Sequence, residues 1–281
     1  MTARTVRIAV VAPANRVDPS IAQRVAVIAK SAVAGRAELV FHPQCHLSSG
    51  HFAGDDAARA AALIEVANDA KFDAVWFGRG GYGSGRVVEA VLPKLTAAAR
   101  RKLYLGYSDL GTVLAAFYTN GIGRVAHGPM PSDLARENGE AAVRRALSFL
   151  VDRLPETVEP TAWSGAKCVA FNLATFCSLI GTPWQPDLTG HVLMLEDVAE
   201  YMYRIDRMMF QITSNSGLRK LAGIKLGRCS QIPDNDPAFL QTEVEVVQSW
   251  CKRSGIPYLG RADIGHDAEN KVVPFGGMLT S

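Results

Sequence analysis

The chain has 281 residues, 48% hydrophobic and 20% charged, with Lys+Arg 30 against Asp+Glu 27. Those proportions exclude a disordered or collagen-like chain and fit a soluble globular protein of one large domain or two medium ones. A formal net charge of +3 with no Lys/Arg-rich block gives no electrostatic sign of a nucleic-acid partner, and small-molecule chemistry is the expectation.

The N-terminal apolar run, Ile8-Ala9-Val10-Val11-Ala12, stops at Pro13 and lacks the length and cleavage site of a secretory signal. It reads as a buried first strand over 7–12. Helical spacing follows over 20–34, where Ile21, Val25, Ile28, Ala29 and Ala32 share a face. A strand is expected over 38–41 and a long Ala-rich helix over 55–70. Then come a strand over 73–77, a helix over 86–95, a strand over 102–107, a helix over 110–118 and a strand over 124–127. Continuous apolar strands alternating with helices of ~10–15 residues indicate a parallel sheet covered on both faces, an α/β doubly wound layer.

After a polar helix over 137–150, proline and glycine crowd the chain, and a linker is expected over 152–160. It divides a first domain, residues 1–151, from a smaller α/β domain, residues 160–281. In the second, strands are expected over 191–195, 223–228 and 257–260, and helices over 203–213 and 237–252. No run approaches the ~18 apolar residues of a membrane span. Cys45, Cys168, Cys177, Cys229 and Cys251 are odd in number and widely spread, which suits reduced thiols and a cytoplasmic address.

Three stretches carry candidate chemistry. Gly78-Arg79-Gly80-Gly81-Tyr82-Gly83-Ser84-Gly85 lies between a strand and a helix. Gly78, Gly80 and Gly83 satisfy the dinucleotide pattern, although that pattern normally follows a first strand. Read alone, the loop over 78–85 is either a tight turn or a set of unpaired N–H groups facing an anion, as in a non-catalytic dinucleotide- or ligand-binding module.

Gly106-Tyr107-Ser108-Asp109-Leu110 runs from strand to helix, the arrangement of a nucleophile elbow, with the N–H of Asp109 set to hold an oxyanion. The plainer alternative is that Ser108 or Asp109 caps the helix. A serine nucleophile needs a base and an orienting carboxylate. His266 lies in a loop beside Gly265 and suits a general base. Glu196, Asp197 and Glu200 sit where an apolar strand ends, and spacing does not choose among them. His42, Cys45, His46 and His51 could suggest zinc, but no second cluster follows, and a polar surface loop is the expectation. His127 and His191 read as structural.

Together these residues resemble a known family. Arg79-Gly80-Gly81-Tyr82-Gly83 with Arg86, Gly106-Tyr107-Ser108-Asp109, His127-Gly128-Pro129, Gly181-Thr182-Pro183, Leu195-Glu196-Asp197-Val198-Ala199-Glu200, Tyr203-Arg204-Ile205-Asp206-Arg207 and Gly265-His266 occur in the order found in the serine LD-carboxypeptidases. That group includes muramoyltetrapeptide carboxypeptidases and microcin C immunity peptidases.

The resemblance implies Ser108 as nucleophile, His266 as base and Glu196 as the orienting acid. It implies an oxyanion hole from the N–H groups of Gly81 (Gly80 is a near alternative) and Asp109. It further implies a homodimer without metal or cofactor, acting on a small murein peptide and releasing terminal D-Ala from an L–D bond. Cleavage of a peptidyl-nucleotide amide by the same triad is the rival within that chemistry. Neither nucleic acid nor membrane is expected as a partner. The chain departs from the family pattern at Ala170-Phe171, where two glycines are usual, at Gly111 in place of threonine, and at Asp267 in place of glycine. Phe171 is expected to alter packing or pocket shape.

Overall fold

A computed structural model describes residues 4–277. The first part alternates strand and helix: β1 Val6–Val11, α1 Pro19–Ala32, β2 Ala37–Phe41, α2 Asp56–Asn68, β3 Ala74–Phe77, α3 Val88–Val91, β4 Leu103–Gly106, α4 Gly111–Thr119, β5 Arg124–His127 and α5 Gly139–Asp152. The second part holds α6 Pro160–Trp163, β6 Cys168–Asn172, α7 Leu173–Leu179, β7 Val192–Val198, α8 Met202–Ser214, β8 Gly223–Ser230, α9 Glu243–Ser254, β9 Tyr258–Arg261 and β10 Val273–Pro274.

Helix starts are chemically marked. Asp18 accepts from the N–H of Ser20 at 2.8 Å with Pro19 in the first turn, and Asp55 accepts from the N–H of Ala58 at 2.7 Å. Thr242 and Glu245 form a reciprocal capping box at α9, and Gly255 ends that helix in the left-handed conformation.

Six strands form one sheet in the order β10-β5-β4-β3-β1-β2, and four form another in the order β6-β7-β8-β9. All pairs are parallel except β10 with β5. The first order reverses between β1 and β3, and ligand chemistry in open sheets collects at the C-terminal strand ends beside such a reversal. The loops after β1, β3 and β4 all emerge there. Buried side chains run without a break from Phe77 and Tyr104 through Leu114 to Phe171, Leu195 and Leu226 in the second sheet.

Several expectations shift. The helix expected over 86–95 is a short helix flanked by 3-10 turns at Ser84–Arg86 and Leu92–Lys94, because Pro93 has no N–H to continue it. The helix expected over 237–252 starts only at Glu243, where the capping box stands. The short helix α6, the strand β6, the helix α7 and the returning strand β10 lie outside the expected elements. Residues 152–160 are not a free tether: the backbone of Thr157 and Glu159 exchanges two 2.9 Å hydrogen bonds with Val272, and buried Glu159 meets Lys225 Nζ at 3.1 Å. Among the described residues no helix is long and apolar enough to cross a membrane.

Candidate active site

β4 delivers Ser108 to the C-terminal edge of the first sheet. Tyr107 is still extended, with φ −159°, and Ser108 turns abruptly to φ +59° before the 3-10 turn Ser108–Leu110 leads into α4. A left-handed non-glycine residue is strained by about 1–2 kcal/mol. Here the strain lifts the hydroxyl clear of both strand and helix.

The loop after β3 faces this turn. A Cβ on Gly80 would stand 3.1 Å from Ser108 Oγ, so only glycine lets that backbone approach. Gly81 has φ +101°. Asp109 ties loop and elbow together: its carboxylate accepts from the Ser84 N–H at 2.8 Å, and its carbonyl accepts from Ser84 Oγ at 2.7 Å. Burial raises the Asp109 carboxyl above its ordinary value. Arg59, fully buried on α2, holds the same loop from below, donating to Gly83 O at 2.7 Å and to Pro13 O, and pairing with Asp56. Among the described residues the N–H groups of Gly81 and Asp109 have no hydrogen-bond acceptor.

The second sheet supplies the partners. Glu196 and Asp197 are adjacent on β7 and so point to opposite faces. Glu196 Oε2 lies 2.5 Å from His266 Nδ1, and His266 Nε2 lies 3.0 Å from Ser108 Oγ. A carboxylate only accepts, so Nδ1 carries the proton and Nε2 is free to accept from the serine hydroxyl. Glu196 is wholly buried and His266 is 7% exposed. Burial lowers the imidazole, but the charge and hydrogen bond of Glu196 more than reverse this, so His266 stands above its ordinary value.

Asp197 turns the other way and accepts from Asn172 Nδ2 at 2.8 Å and the Ala174 N–H at 3.1 Å. Burial, with the charge of Glu196, pushes it up to about 6. Glu200, beyond the strand, meets Arg204 Nε at 2.7 Å. The three acids that spacing left equivalent therefore have three different partners.

The histidine loop is braced on both sides. Arg228 on β8 donates to Asp267 at 2.5 and 2.9 Å and to Asp263 at 2.7 Å. Asn270 Oδ1 lies 3.2 Å from His127 Nε2 and accepts from the Gly265 N–H at 3.3 Å. The ring of Tyr107 sits 4.8 Å from that of His266, and its hydroxyl donates to Asp133 at 2.7 Å. Arg59, Asp133 and Arg228 carried no sequence signal, since each lies far along the chain from the groups it positions; Asn270 stands close to Gly265 in the chain, but its other partner, His127, is 143 positions away.

Ser108 stands between two clefts. The first, of about 600 Å³, is lined by Arg86, Asn172, Trp184, Asp197 and Glu200. The second, of about 540 Å³, is lined by Arg79, Tyr107, Ser132, Arg136 and His266. The arrangement can activate a serine hydroxyl, offer two N–H groups to a developing oxyanion and hold substrate on both sides of the reacting bond.

The histidine-rich segment is the expected exposed loop only over residues 47–51. Cys45 is wholly buried with Sγ 3.3 Å from Val10 O, His42 caps a short turn, and His46 Nδ1 meets Val17 O at 2.9 Å. Among the described residues no group of three or more His, Cys, Asp or Glu is placed to hold a metal.

Sequence profiles of the LD-carboxypeptidase N-terminal and C-terminal domains match residues 8–128 and 166–280. The chain is 32% identical to a putative carboxypeptidase of Synechocystis, over 85% of this chain and 79% of that one. It is 28% identical to the murein tetrapeptide carboxypeptidase of Pseudomonas aeruginosa, over 96% and 91%. The crystal structure of the muramoyltetrapeptide carboxypeptidase from Oxalobacter formigenes superposes with a TM-score of 0.79 at 26% identity, covering 96% and 93%. The microcin C7 self-immunity protein superposes at 0.76 with 17% identity, covering 98% and 97%, which shows a shared fold alone.

Proposed function

The chain belongs to the LD-carboxypeptidase family, and from that premise we propose that it is a serine carboxypeptidase that releases terminal D-Ala from murein tetrapeptides. The observation that carries the mechanism is the unbroken hydrogen-bonded line from Ser108 Oγ through His266 to Glu196. In this reading Ser108 attacks the carbonyl of the L–D peptide bond while His266 Nε2 takes its proton. The N–H groups of Gly81 and Asp109 receive the oxyanion. His266 returns the proton to the leaving amine, and water admitted to the acyl-enzyme completes the cycle with the histidine again as base. Glu196 holds the tautomer and stabilises the imidazolium.

The second cleft, with Arg79 and Arg136, suits the terminal carboxylate of the leaving D-Ala. The first, with its carboxylates, suits the cationic part of the acyl portion. The resemblance also supports a cytoplasmic homodimer, divided at residues 152–160 into a nucleophile-bearing domain and one bearing acid and histidine.

Mass spectrometry of the products from a defined mixture of murein tri-, tetra- and pentapeptides, wild type beside Ser108→Ala, tests the reading. Loss of one alanine from the tetrapeptide in the wild type alone is the expected result. An untouched tetrapeptide alongside a hydrolysed peptidyl-nucleotide amide would transfer the triad to the rival substrate. Turnover undiminished in Ser108→Ala would overturn the triad itself.

A further inference from the structure

The parallel strands of the first sheet begin at the pole opposite Ser108. A separate cavity of about 530 Å³ opens there, between the starts of β1, β3, β4 and β5 and the end of α5. Arg4, Arg101, Lys102, Arg124 and Arg153 line it, against a single carboxylate, Asp73. That carboxylate is already engaged: Arg4 pairs with it, and the N–H of Arg7 donates to it at 2.9 Å. Asp152, at the end of α5, is engaged by Arg36.

Lys102 is 2% exposed and gives its ammonium to the carbonyls of Asp69 and Phe72, at 2.6 and 2.7 Å, which do not neutralise it. Among the described residues no carboxylate pairs with Arg101, Arg124 or Arg153. Arg153 Nε is buried without a hydrogen-bond partner, on a residue whose backbone is left-handed at φ 52°. Burial and the charge of Arg153 hold the Arg124 guanidinium below its ordinary value. The C-terminus of α5 offers Arg153 a partial negative charge of about one half, which does not balance three guanidinium groups and an ammonium.

A concave site with this excess of unpaired cations, floored by Phe72, Leu103, Leu150 and Val151, is built to receive negative charge. Guanidinium forks match tetrahedral oxyanions in pairs of parallel hydrogen bonds, and a singly charged carboxylate would leave most of the excess uncompensated. We propose that this cavity binds a small multivalent oxyanion of the phosphate class, at a site distinct from the peptidase centre. The inference is independent of which peptide Ser108 cleaves.

Isothermal titration of the full chain with inorganic phosphate and with pyrophosphate, at constant ionic strength set by chloride, tests it. One saturable site is expected in the wild type, weakened at least about tenfold in Arg124→Gln/Arg153→Gln. Arg207→Gln, which removes a cation of α8 that does not line the cavity, should bind as the wild type does. Preference for phosphate or for pyrophosphate supports the site in either case and sizes its ligand. Arg124→Gln alone carries the test should the double variant not fold, as read by circular dichroism. The absence of saturable binding in the wild type, or equal weakening by Arg124→Gln and Arg207→Gln, overturns the proposal.

Discussion

The ring of Phe171 lies against the backbone of Gly111: a Cβ on Gly111 would meet Phe171 Cδ1 at 3.2 Å and Thr175 Cγ2 at 3.4 Å. Both positions depart from the pattern of the resembled family, and they depart together. The aromatic ring occupies the space that a threonine side chain at 111 would need. Phe171 is wholly buried, with its ring 5.0 Å from Phe176 and 5.1 Å from Phe275, so it fills core between the sheets and does not line either cleft beside Ser108. Of the two expected effects, packing or pocket shape, the position of Phe171 favours packing.

Gly111→Thr alone overpacks this contact and should destabilise the protein by about 1–3 kcal/mol, while Phe171→Ala leaves a cavity and should cost about 3–5 kcal/mol. Because the two residues touch, the double variant should lose less than the sum of the singles. Urea denaturation of the four proteins measures the coupling, and strict additivity would refute the compensation.

The pH profile of kcat/KM should show an acid limb belonging to His266. The histidine must be unprotonated to act as base, and its pKa is raised by Glu196, so activity climbs with pH only above the ordinary imidazole value of about 6.5. Buried His127, held near 4, stays neutral throughout and adds no limb in that range. Glu196→Gln removes the opposing charge, so the limb should move to lower pH while the plateau falls roughly 10³–10⁴-fold. A limb unmoved in Glu196→Gln would assign the titration to another group.

Asp267, where glycine is usual, is clamped by Arg228 and thereby braces the loop that carries His266. Arg228→Ala should lower kcat by about tenfold with KM little changed, because a displaced base slows the chemical step without altering the clefts. Asp267→Glu should recover part of the loss seen in Asp267→Ala. Equal falls in stability and rate, with no recovery by glutamate, would reduce the clamp to a packing role.

Arg59→Met should act on the glycine loop from beneath. Removing its guanidinium leaves the Pro13 carbonyl without a donor and Gly83 O with only the Arg86 N–H at 3.2 Å, at about 1–3 kcal/mol for the acceptor that stays buried and unpaired. The melting temperature should fall, and kcat should fall further than the loss of folded protein explains. Normal kcat in the folded fraction would show that the loop keeps its position without Arg59.

Local chemistry made much of this protein legible from its residues. The apolar run at Val6–Val11, the helical spacing from Ile21 to Ala32 and the strand-to-helix turn at Ser108 depend on neighbours within a few positions, and those interactions are written in order along the chain. Motif order then singled out Glu196 and His266 by resemblance, where spacing left three acids open. Only the tertiary structure decides what depends on long separations. It brings His266 across 158 positions to Ser108 and across 70 to Glu196, and it sends Asp197 to the opposite face of β7. The same holds for the Gly111–Phe171 contact, the Arg59 support and the cationic cavity. The triad and the Gly111–Phe171 contact form because two sheets share one apolar core, and the Arg59 support and the cavity because distant strands and helices pack within the first layer; packing of either kind has no periodicity to read in advance.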